Sequence, residues 1–126
     1  MTQQEKQLLL KDLCARLPYG VKINIRNDYT LTMEDMEFNA YHLPTASYDF
    51  EYRGFRPYLR PMSSMTKEER LVYEQRFHDV GRSIDVIDAD DVVSHIDWLL
   101  EHHFDYRGLI EKGLALEAPE GMYKTK

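Results

Sequence analysis

The chain has almost no cysteine, no long apolar run and no excess of basic residues. Its single cysteine, Cys14, excludes an intrachain disulfide and a multi-cysteine zinc site. No apolar run approaches the ~20 residues of a membrane-spanning helix, and the polar segment from Met1 to Lys6 is no signal peptide. Acidic residues outnumber basic ones by 22 to 16, and the net charge of −6 argues against a surface that coats nucleic acid or anionic membranes. These absences predict a soluble, reduced, cytoplasmic protein.

What is present is an ordinary globular composition, with 43% hydrophobic and 30% charged residues. A chain of 126 residues can build one real core, so we expect a single domain over residues 1–126. The charge is uneven, because residues 1–52 carry −3, residues 53–77 carry +3 and residues 78–126 carry −6. A basic segment therefore lies between two acidic ones.

The first predicted element is a helix that begins at a capping box. Thr2 and Glu5 have the spacing at which each side chain reaches the other's backbone N–H. An apolar stripe follows at helical spacing, and Pro18 and Gly20 end the helix. The stripe consists of Leu9, Leu10, Leu13 and Leu17. Cys14 lies at its edge, where we expect a small buried hydrophobe rather than a reactive thiol.

Alternating apolar and polar residues after this helix predict a β-hairpin. Residues 21–25 and 29–33 each repeat with a period of two. A loop of three residues, 26–28, keeps the apolar side chains on one face, because it places Ile25 opposite Tyr29. We expect an Asn or Asp of this loop to take the left-handed backbone conformation.

Two further strands are predicted over residues 36–43 and 48–52, the second from its alternation of aromatic and acidic side chains. With the hairpin they make an antiparallel sheet of about four strands over residues 21–52. Residues 114–118 are a last short strand or an extended tail. The predicted fold class is α+β: an N-terminal helix, this sheet, then two or three helices packed on one face.

Helices are predicted in the second half of the chain. A second capping box at Thr66 and Glu69 begins a helix that runs to about His78. Asp88 caps the next helix, and Asp105 caps a short one that ends near residue 113. The apolar contacts of the two longer helices are expected from Leu71, Val72, Tyr73 and Phe77, and from Val92, Val93, Ile96, Leu99 and Leu100.

Three stretches form a family signature: residues 12–21 (DLCARLPYGV), residues 57–66 (PYLRPMSSMT) and residues 102–119 (HHFDYRGLIEKGLALEAP). Together they resemble a family of small uncharacterised proteins that are abundant in gut Bacteroidales, their phages and mobile elements. The segment from about Lys22 to Tyr52 has no motif of that family. The resemblance implies a bacterial or phage cytoplasmic setting, and it carries no catalytic residue or cofactor to this chain.

The densest pattern of basic and aromatic side chains lies in residues 52–60. It consists of Tyr52, Arg53, Phe55, Arg56, Tyr58 and Arg60. Arginine and aromatic residues dominate protein interfaces, so these six residues are the predicted partner-binding site for an unknown protein. The same side chain types can grip phosphate and stack on bases. They can also pair internally with the acidic segment after His78.

Three histidines form the other candidate for chemistry. His95 and His102 are two helical turns apart, wider than a typical metal-chelating pair, and His103 points into the apolar stripe. The alternative is that their rings satisfy the end of a helix. A helix cap explains most of the nearby acids, which lack the EF-hand spacing. These acids are Asp85, Asp88, Asp90 and Asp91. With no nucleotide or nucleophile motif present, the sequence predicts no catalytic residue, metal or cofactor.

The sequence therefore predicts a non-enzymatic protein-interaction module and leaves its oligomeric state open. One alternative is a small metal-dependent or hydrolytic enzyme that uses His95, His102 and nearby acids. Another is nucleic-acid binding through the Arg53–Arg60 segment, which the surrounding acidic charge opposes. Two structural observations separate these hypotheses: whether the histidines converge, and whether the arginines are paired.

Overall fold

The computed structural model describes the backbone of residues 1–81 and 89–123, and the side chains of residues 1–75 and 92–123. The α-helices are α1 (Gln3–Arg16), α2 (Ala46–Tyr52), α3 (Lys67–Gly81) and α4 (Ala89–Glu101). The β-strands are β1 (Lys22–Arg26), β2 (Met33–Glu37), β3 (Arg56–Leu59) and β4 (Leu116–Glu117). Short 3-10 turns lie at Leu17–Tyr19, Ala40–Thr45 and Met62–Ser64.

The strands form one sheet in the order β2-β1-β3-β4. β1 pairs antiparallel with both β2 and β3, whereas β3 pairs parallel with β4. This mixed sheet and its helices confirm the α+β prediction, and β4 confirms a short strand within residues 114–118. None of the helices in the described part of the chain has both the length and the hydrophobicity that a membrane crossing requires.

The start of α1 follows the sequence pattern. The backbone N–H of Thr2 donates to Glu5 Oε1 at 2.8 Å, and the N–H of Glu5 donates to Thr2 Oγ1 at 3.1 Å. Leu9 and Leu13 are fully buried against the sheet. Cys14, however, is exposed, so the prediction of a buried thiol is wrong. The buried face of α1 also includes positions 12 and 16, and Cys14 lies to one side of it.

The β1–β2 hairpin has a different register from the predicted one. Its loop spans residues 27–32, and Ile25 lies opposite Glu34. The predicted three-residue loop is wrong because Phe38 is a core residue packed against Phe55, and Met36 packs against the same core. Side chains alternate along a strand, so burial of the even-numbered residues turns the odd-numbered ones outward.

The predicted third and fourth strands are also wrong. Residues 40–45 form a 3-10 turn that begins where the Asn39 side chain accepts from the N–H of Tyr41 at 2.9 Å. Residues 46–52 form α2, whose buried positions have the i, i+3, i+4 spacing of a helix. In a segment of only seven residues, the alternation of aromatic and acidic side chains is compatible with a strand as well as with a helix. The segment is helical because the residues that it buries lie on one face of a helix.

Helices α3 and α4 follow the sheet and contact each other. The capping box at Thr66 and Glu69 is confirmed, with backbone N–H to side-chain oxygen distances of 2.9 and 3.1 Å. Leu99 and Leu100 are buried as expected, whereas Leu71, Val72 and Val93 are exposed, against the prediction. The side chain of Phe77 and the predicted cap at Asp88 lie outside the described residues.

No helix forms in the described segment from Asp105 to Gly113, where a short one was predicted. Successive turns replace it, and the Asp105 carboxylate accepts from the backbone N–H groups of Leu109 and Ile110 at 2.8 and 2.9 Å. Asp105 therefore caps these turns without starting a helix, and Gly113 follows with a φ of +74°.

A buried ion network fastens α1 to this C-terminal segment. Asp12 and Arg16 are both 0% exposed, and Arg16 Nε donates to Asp12 Oδ2 at 2.6 Å. Arg107 Nε donates to the other carboxylate oxygen of Asp12 at 3.1 Å, and Arg16 Nη2 donates to the Phe104 carbonyl at 2.8 Å. Residues 12–21 and residues 102–119 therefore meet at this network.

Candidate functional site

Arg53, the first arginine of the predicted partner-binding segment, is used within the fold. Its Nε and Nη2 donate to the carbonyl of Arg26 at 3.0 and 2.7 Å. Its Nη1 lies 3.5 Å from Asp49 Oδ1, and its Nε lies 3.4 Å from Asp28 Oδ1. The residue thus joins the C-terminus of α2 to the end of β1 and to the loop that follows it.

Arg56, the first residue of β3, has a similar role. Its Nη1 donates to the carbonyls of Phe50 and Phe55 at 3.2 and 2.7 Å. Its Nε donates to the carbonyl of Gly113 at 3.1 Å. These bonds satisfy backbone acceptors where irregular segments meet β3, which is a structural use of a guanidinium.

Arg60 makes the strongest of the three arginine contacts. Its Nη1 and Nη2 donate to the two carboxylate oxygens of Glu69 at 2.8 and 2.6 Å, a bidentate pair. Its guanidinium carbon lies 4.2 Å from the centroid of the Phe104 ring. The hydrogen bond from Arg60 holds the pKa of Glu69 below its usual value. Arg60 therefore joins β3 to the start of α3.

The aromatic members of the segment differ in exposure. Phe55 is fully buried, and the hydroxyl of Tyr58 donates to Asp35 Oδ1 at 2.7 Å on the open face of the sheet. Tyr52 is 60% exposed. The six predicted partner-binding residues therefore do not form one exposed patch, and Tyr52 is the member that faces solvent most fully.

Arg53, Arg56 and Arg60 bond within the molecule, but to acceptors that the sequence pattern did not predict. The carboxylates belong to Asp28, Asp49 and Glu69, and the other acceptors are main-chain carbonyls. All three carboxylates precede the acidic segment after His78, which had been the expected source. The carboxylates that pair with Arg53 and Arg60 thus all lie within the first 70 residues, whereas Arg56 bonds to main-chain carbonyls, including that of Gly113.

The histidines do not converge into a metal centre. His102 stacks on Trp98 with ring centroids 4.6 Å apart, and its Nδ1 lies 3.6 Å from Glu69 Oε2. His95 packs against the ring of Tyr73, with centroids 5.3 Å apart. Among the described residues, no group of three or more His, Cys, Asp or Glu side chains is placed to hold a metal ion. His95 and His102 thus lie in an aromatic cluster.

His103 occupies a tighter environment than its neighbours. Its backbone is left-handed, with a φ of +64°, and its ring stacks on Tyr123 with centroids 3.8 Å apart. The Tyr123 hydroxyl accepts from the N–H of Lys22 at 2.8 Å and donates to the carbonyl of Tyr58 at 2.7 Å. It thereby bridges β1 and β3, and burial raises the pKa of Tyr123 to about 12.

Acidification will destabilise the protein through His103. Burial, and then the charges of Arg16, Arg60 and His102, lower the pKa of His103 to about 4, from 6.5. Between pH 6.5 and pH 4 the His103 ring binds a proton in the unfolded chain but not in the folded one. The free energy of unfolding therefore decreases as the pH is lowered through this range. After a discount for partial exposure we expect a loss of about 2 kcal/mol across this window. Urea denaturation at several pH values measures it.

The matched control for this pH effect is His103→Asn. Asparagine does not titrate and tolerates the left-handed backbone of His103, so the difference between the two pH profiles isolates this ring from the acids that titrate nearby. Identical profiles for the two proteins would show that His103 does not carry the effect.

A cleft of about 680 Å³ opens between the C-terminal segment and the turn after β3. Its lining includes Arg60, Ser64, Thr66, Glu117, Glu120 and Tyr123. Its two aliphatic hydroxyl groups have structural partners: the Ser64 hydroxyl donates to the Pro61 carbonyl at 2.7 Å, and the Thr66 hydroxyl caps α3. The described lining therefore contains no nucleophile paired with a base.

The loop of residues 27–32 is ordered by one side chain yet presents apolar residues to solvent. Asn27 Oδ1 accepts from the N–H groups of Tyr29 and Thr30 at 2.8 and 3.2 Å. The Leu31 N–H donates to the Asn27 carbonyl at 2.8 Å, and Leu31 has a φ of +59°. Tyr29 is 98% exposed and Leu31 is 70% exposed. A hydrogen-bonded loop thus holds two large apolar side chains in water.

The C-terminal end of α2, a helix that carries two exposed rings, lies beside the base of this loop. Tyr48 and Tyr52 contact each other one helical turn apart, with centroids at 4.8 Å, and both are exposed. Arg53 follows directly and bonds to the end of β1, while the half-exposed Met33 approaches Gly54. We call these five exposed residues the loop–helix surface: Tyr29, Leu31, Met33, Tyr48 and Tyr52.

Four of these five residues were missed as interaction candidates. Tyr29, Leu31 and Met33 were assigned to the core face of a strand, and Tyr48 to a strand that does not form. One available signal was Phe38, since a buried ring at an even position places the odd positions of the same strand outside. Asn27 was the other available signal, because an asparagine side chain can bond to backbone N–H groups a few residues later and so stabilise a loop longer than three residues.

Comparisons of the chain with protein-family models, with curated proteins and with solved structures found no match. The resemblance to proteins of gut Bacteroidales and their phages stays a prediction.

Proposed function

We propose that this protein is a non-enzymatic interaction module that contacts a partner protein through the loop–helix surface. The observation that carries the proposal is Leu31, which stands exposed in a left-handed conformation that the Asn27 hydrogen bonds hold in place. Tyrosines such as the neighbouring Tyr29 are frequent anchors of protein interfaces. A fixed backbone beneath such side chains reduces the entropy that is lost when they are covered.

The free-energy cost of the conformation and exposure of Leu31 supports this function. A left-handed non-glycine residue such as Leu31 costs roughly 1–2 kcal/mol, and a leucine left in water forgoes roughly 1.5–3 kcal/mol of burial. The described fold recovers neither term at Leu31, and Tyr29 is likewise almost wholly exposed. A partner that covers both residues would recover the burial term.

Protein interaction is also the function that the sequence predicts, but the proposed contact site is the loop–helix surface and not the segment of residues 52–60. Tyr52 belongs to the predicted site and to the loop–helix surface. The arginines of the predicted site would have to break internal bonds before meeting a phosphate, so nucleic-acid binding through Arg53–Arg60 has less support. An enzyme centred on His95 and His102 also has less support, because the two rings pack against aromatic residues.

A double variant, Tyr29→Ser with Leu31→Asn, is expected to abolish partner capture without loss of stability. Asn tolerates the left-handed conformation at position 31, and neither side chain is buried. Capture from a lysate of the organism that carries the gene, quantified by mass spectrometry, measures the effect. Loss of two interface anchors should reduce recovery of a true partner by roughly a hundredfold.

The matched control is Tyr41→Ser, which removes another ring that is almost wholly exposed but lies in the 3-10 turn before α2. Partners retained by this control and lost by the double variant support the proposed function. If the double variant retains every partner of the wild-type protein, the loop–helix surface is not the contact site.

A further inference from the structure

In the part of the chain that the structure describes, one edge of the sheet has no neighbouring strand. β2 ends the strand order, and no strand in the described ranges lies on its outer side. On either side of β2, the carbonyl of Thr32 accepts from the N–H of Asn27, and the N–H of Phe38 donates to the carbonyl of Val21. The backbone N–H and C=O groups of the even-numbered residues of β2 therefore point toward β1. The N–H and C=O groups of Met33, Asp35 and Glu37 therefore point away from the sheet.

Charged side chains are the one common protection against pairing that this edge carries. β2 has the sequence MEDME, which contains no proline, glycine or lysine, and its five residues pair in unbroken register with β1. Its charges are all acidic, at Glu34, Asp35 and Glu37. Such an edge repels an acidic strand and is complementary to a basic one, because cross-strand pairs of opposite charge are favourable.

The acidic charge also argues against a second copy of this chain as the occupant. Two copies of β2 paired antiparallel along their full length would place Asp35 directly opposite Asp35. Asp35 is held in the charged form, since its Oδ1 accepts from Asn24 Nδ2 at 2.8 Å and from the Tyr58 hydroxyl at 2.7 Å, and these bonds lower the pKa of Asp35. Self-pairing would therefore oppose charges that cannot be neutralised cheaply.

The edge is continuous with the loop–helix surface. Met33 is the first residue of β2 and a member of that surface, and Leu31 and Tyr29 precede it in the loop. The exposed side chains of β2 thus run from apolar at Met33 to acidic at Asp35 and Glu37. A complementary antiparallel strand would have the pattern basic-x-basic-x-apolar, with all three residues on the open face of the sheet.

We propose that the free edge of β2 binds an extended basic segment of a partner protein, which adds a fifth strand to the sheet, with an apolar residue seated against Met33 and Leu31. This inference rests on the proposed function and specifies its binding mode and partner chemistry. Main-chain hydrogen bonds to Met33, Asp35 and Glu37 give affinity, and the alternate side chains give specificity.

The test uses random peptides of about 12 residues displayed on phage, selected on the immobilised full chain at about 50 mM salt. Enriched peptides are synthesised, and fluorescence anisotropy gives their Kd for the wild-type protein, Glu37→Pro and Glu37→Ala. Proline removes an N–H that faces outward, so it blocks strand addition without breaking a bond to β1. Alanine removes the same carboxylate and keeps the N–H.

We expect enriched peptides to contain basic-x-basic-x-apolar, and Glu37→Pro to weaken them by at least ~tenfold while Glu37→Ala weakens them about threefold. N-methylation along a peptide should weaken binding at every second residue only, because only alternate N–H groups face the edge. If Glu37→Pro unfolds, Met33→Pro replaces it, since proline is tolerated at the first residue of a strand.

Three outcomes would overturn the proposal. They are enriched peptides without the basic pattern, binding unchanged by the proline variants, and no peptide that binds more tightly than about 100 µM. Peptides that ignore the proline variants but are lost in the Tyr29→Ser, Leu31→Asn double variant would leave the proposed function standing and remove the edge from it. A dimer seen in sedimentation and abolished by Glu37→Pro would assign the edge to a second copy instead.

Discussion

Replacement of Asp12 by alanine will lower the free energy of unfolding by about 3–5 kcal/mol. Asp12 is fully buried, and its carboxylate accepts from Arg16 at 2.6 Å and from Arg107 at 3.1 Å. Its removal leaves one buried and one half-buried guanidinium without their anion. Urea denaturation with an unchanged m-value will measure the loss as a shift of the midpoint.

Two controls distinguish the effect of losing the Asp12 charge from the effect of losing the packing of its side chain. Lys11→Ala changes an exposed residue of the same helix and should alter stability by less than about 0.5 kcal/mol. The double variant Asp12→Leu with Arg16→Met replaces the pair by apolar side chains and should be more stable than Asp12→Ala, although the Phe104 carbonyl loses its donor. A double variant as unstable as the single one would show that packing, not the unpaired charge, causes the loss.

Replacement of Arg60 by alanine will cost about 3 kcal/mol. The Arg60 and Glu69 side chains are 11% and 9% exposed and share two short hydrogen bonds, so the variant leaves a carboxylate with little access to water. It also removes the guanidinium from the Phe104 ring. Arg60→Lys should recover only part of the loss, because an ammonium cannot form the bidentate pair.

The pH profile distinguishes this ion pair from simple packing. The lowered pKa of Glu69 stabilises the folded protein above the carboxyl's ordinary value of 4.5, and this contribution disappears as the pH falls through the lower folded value. Arg60→Ala should therefore be closest in stability to the wild-type protein at low pH. The exposed neighbour Arg70→Ala serves as a control with no expected change. A stability difference that is the same at every pH would contradict the ion-pair explanation.

The elements predicted correctly from sequence are those whose signals are local. The capping boxes at Thr2 and Thr66 need three residues each, and both form as written. The apolar stripe of α1 and strand β1 also follow from patterns of a few residues. The candidate site was less predictable, because exposure of an apolar side chain depends on which face of a strand the rest of the fold buries.

Two errors show why. In β2 the predicted and observed strands differ in which alternate residues face inward, and Phe38 decided this by packing edge-on against Phe55, which comes later in the chain. In α2 a segment that matched a strand pattern is a helix, because Ala46, Asp49 and Phe50 are buried at helical spacing. Which residues become buried depends on the rest of the fold, and single-sequence periodicity does not contain that information.

The arginines show the same limit for charge. The sequence by itself determined that residues 53–60 are basic within an acidic chain, that one cysteine excludes disulfides, and that the fold is of the α+β class. Only the tertiary structure decided that Arg53, Arg56 and Arg60 face carbonyls and carboxylates of the same molecule, while Tyr29 and Leu31 face water. The physical reason is that composition and spacing count groups, whereas pairing and burial depend on which distant segments the packed core brings together.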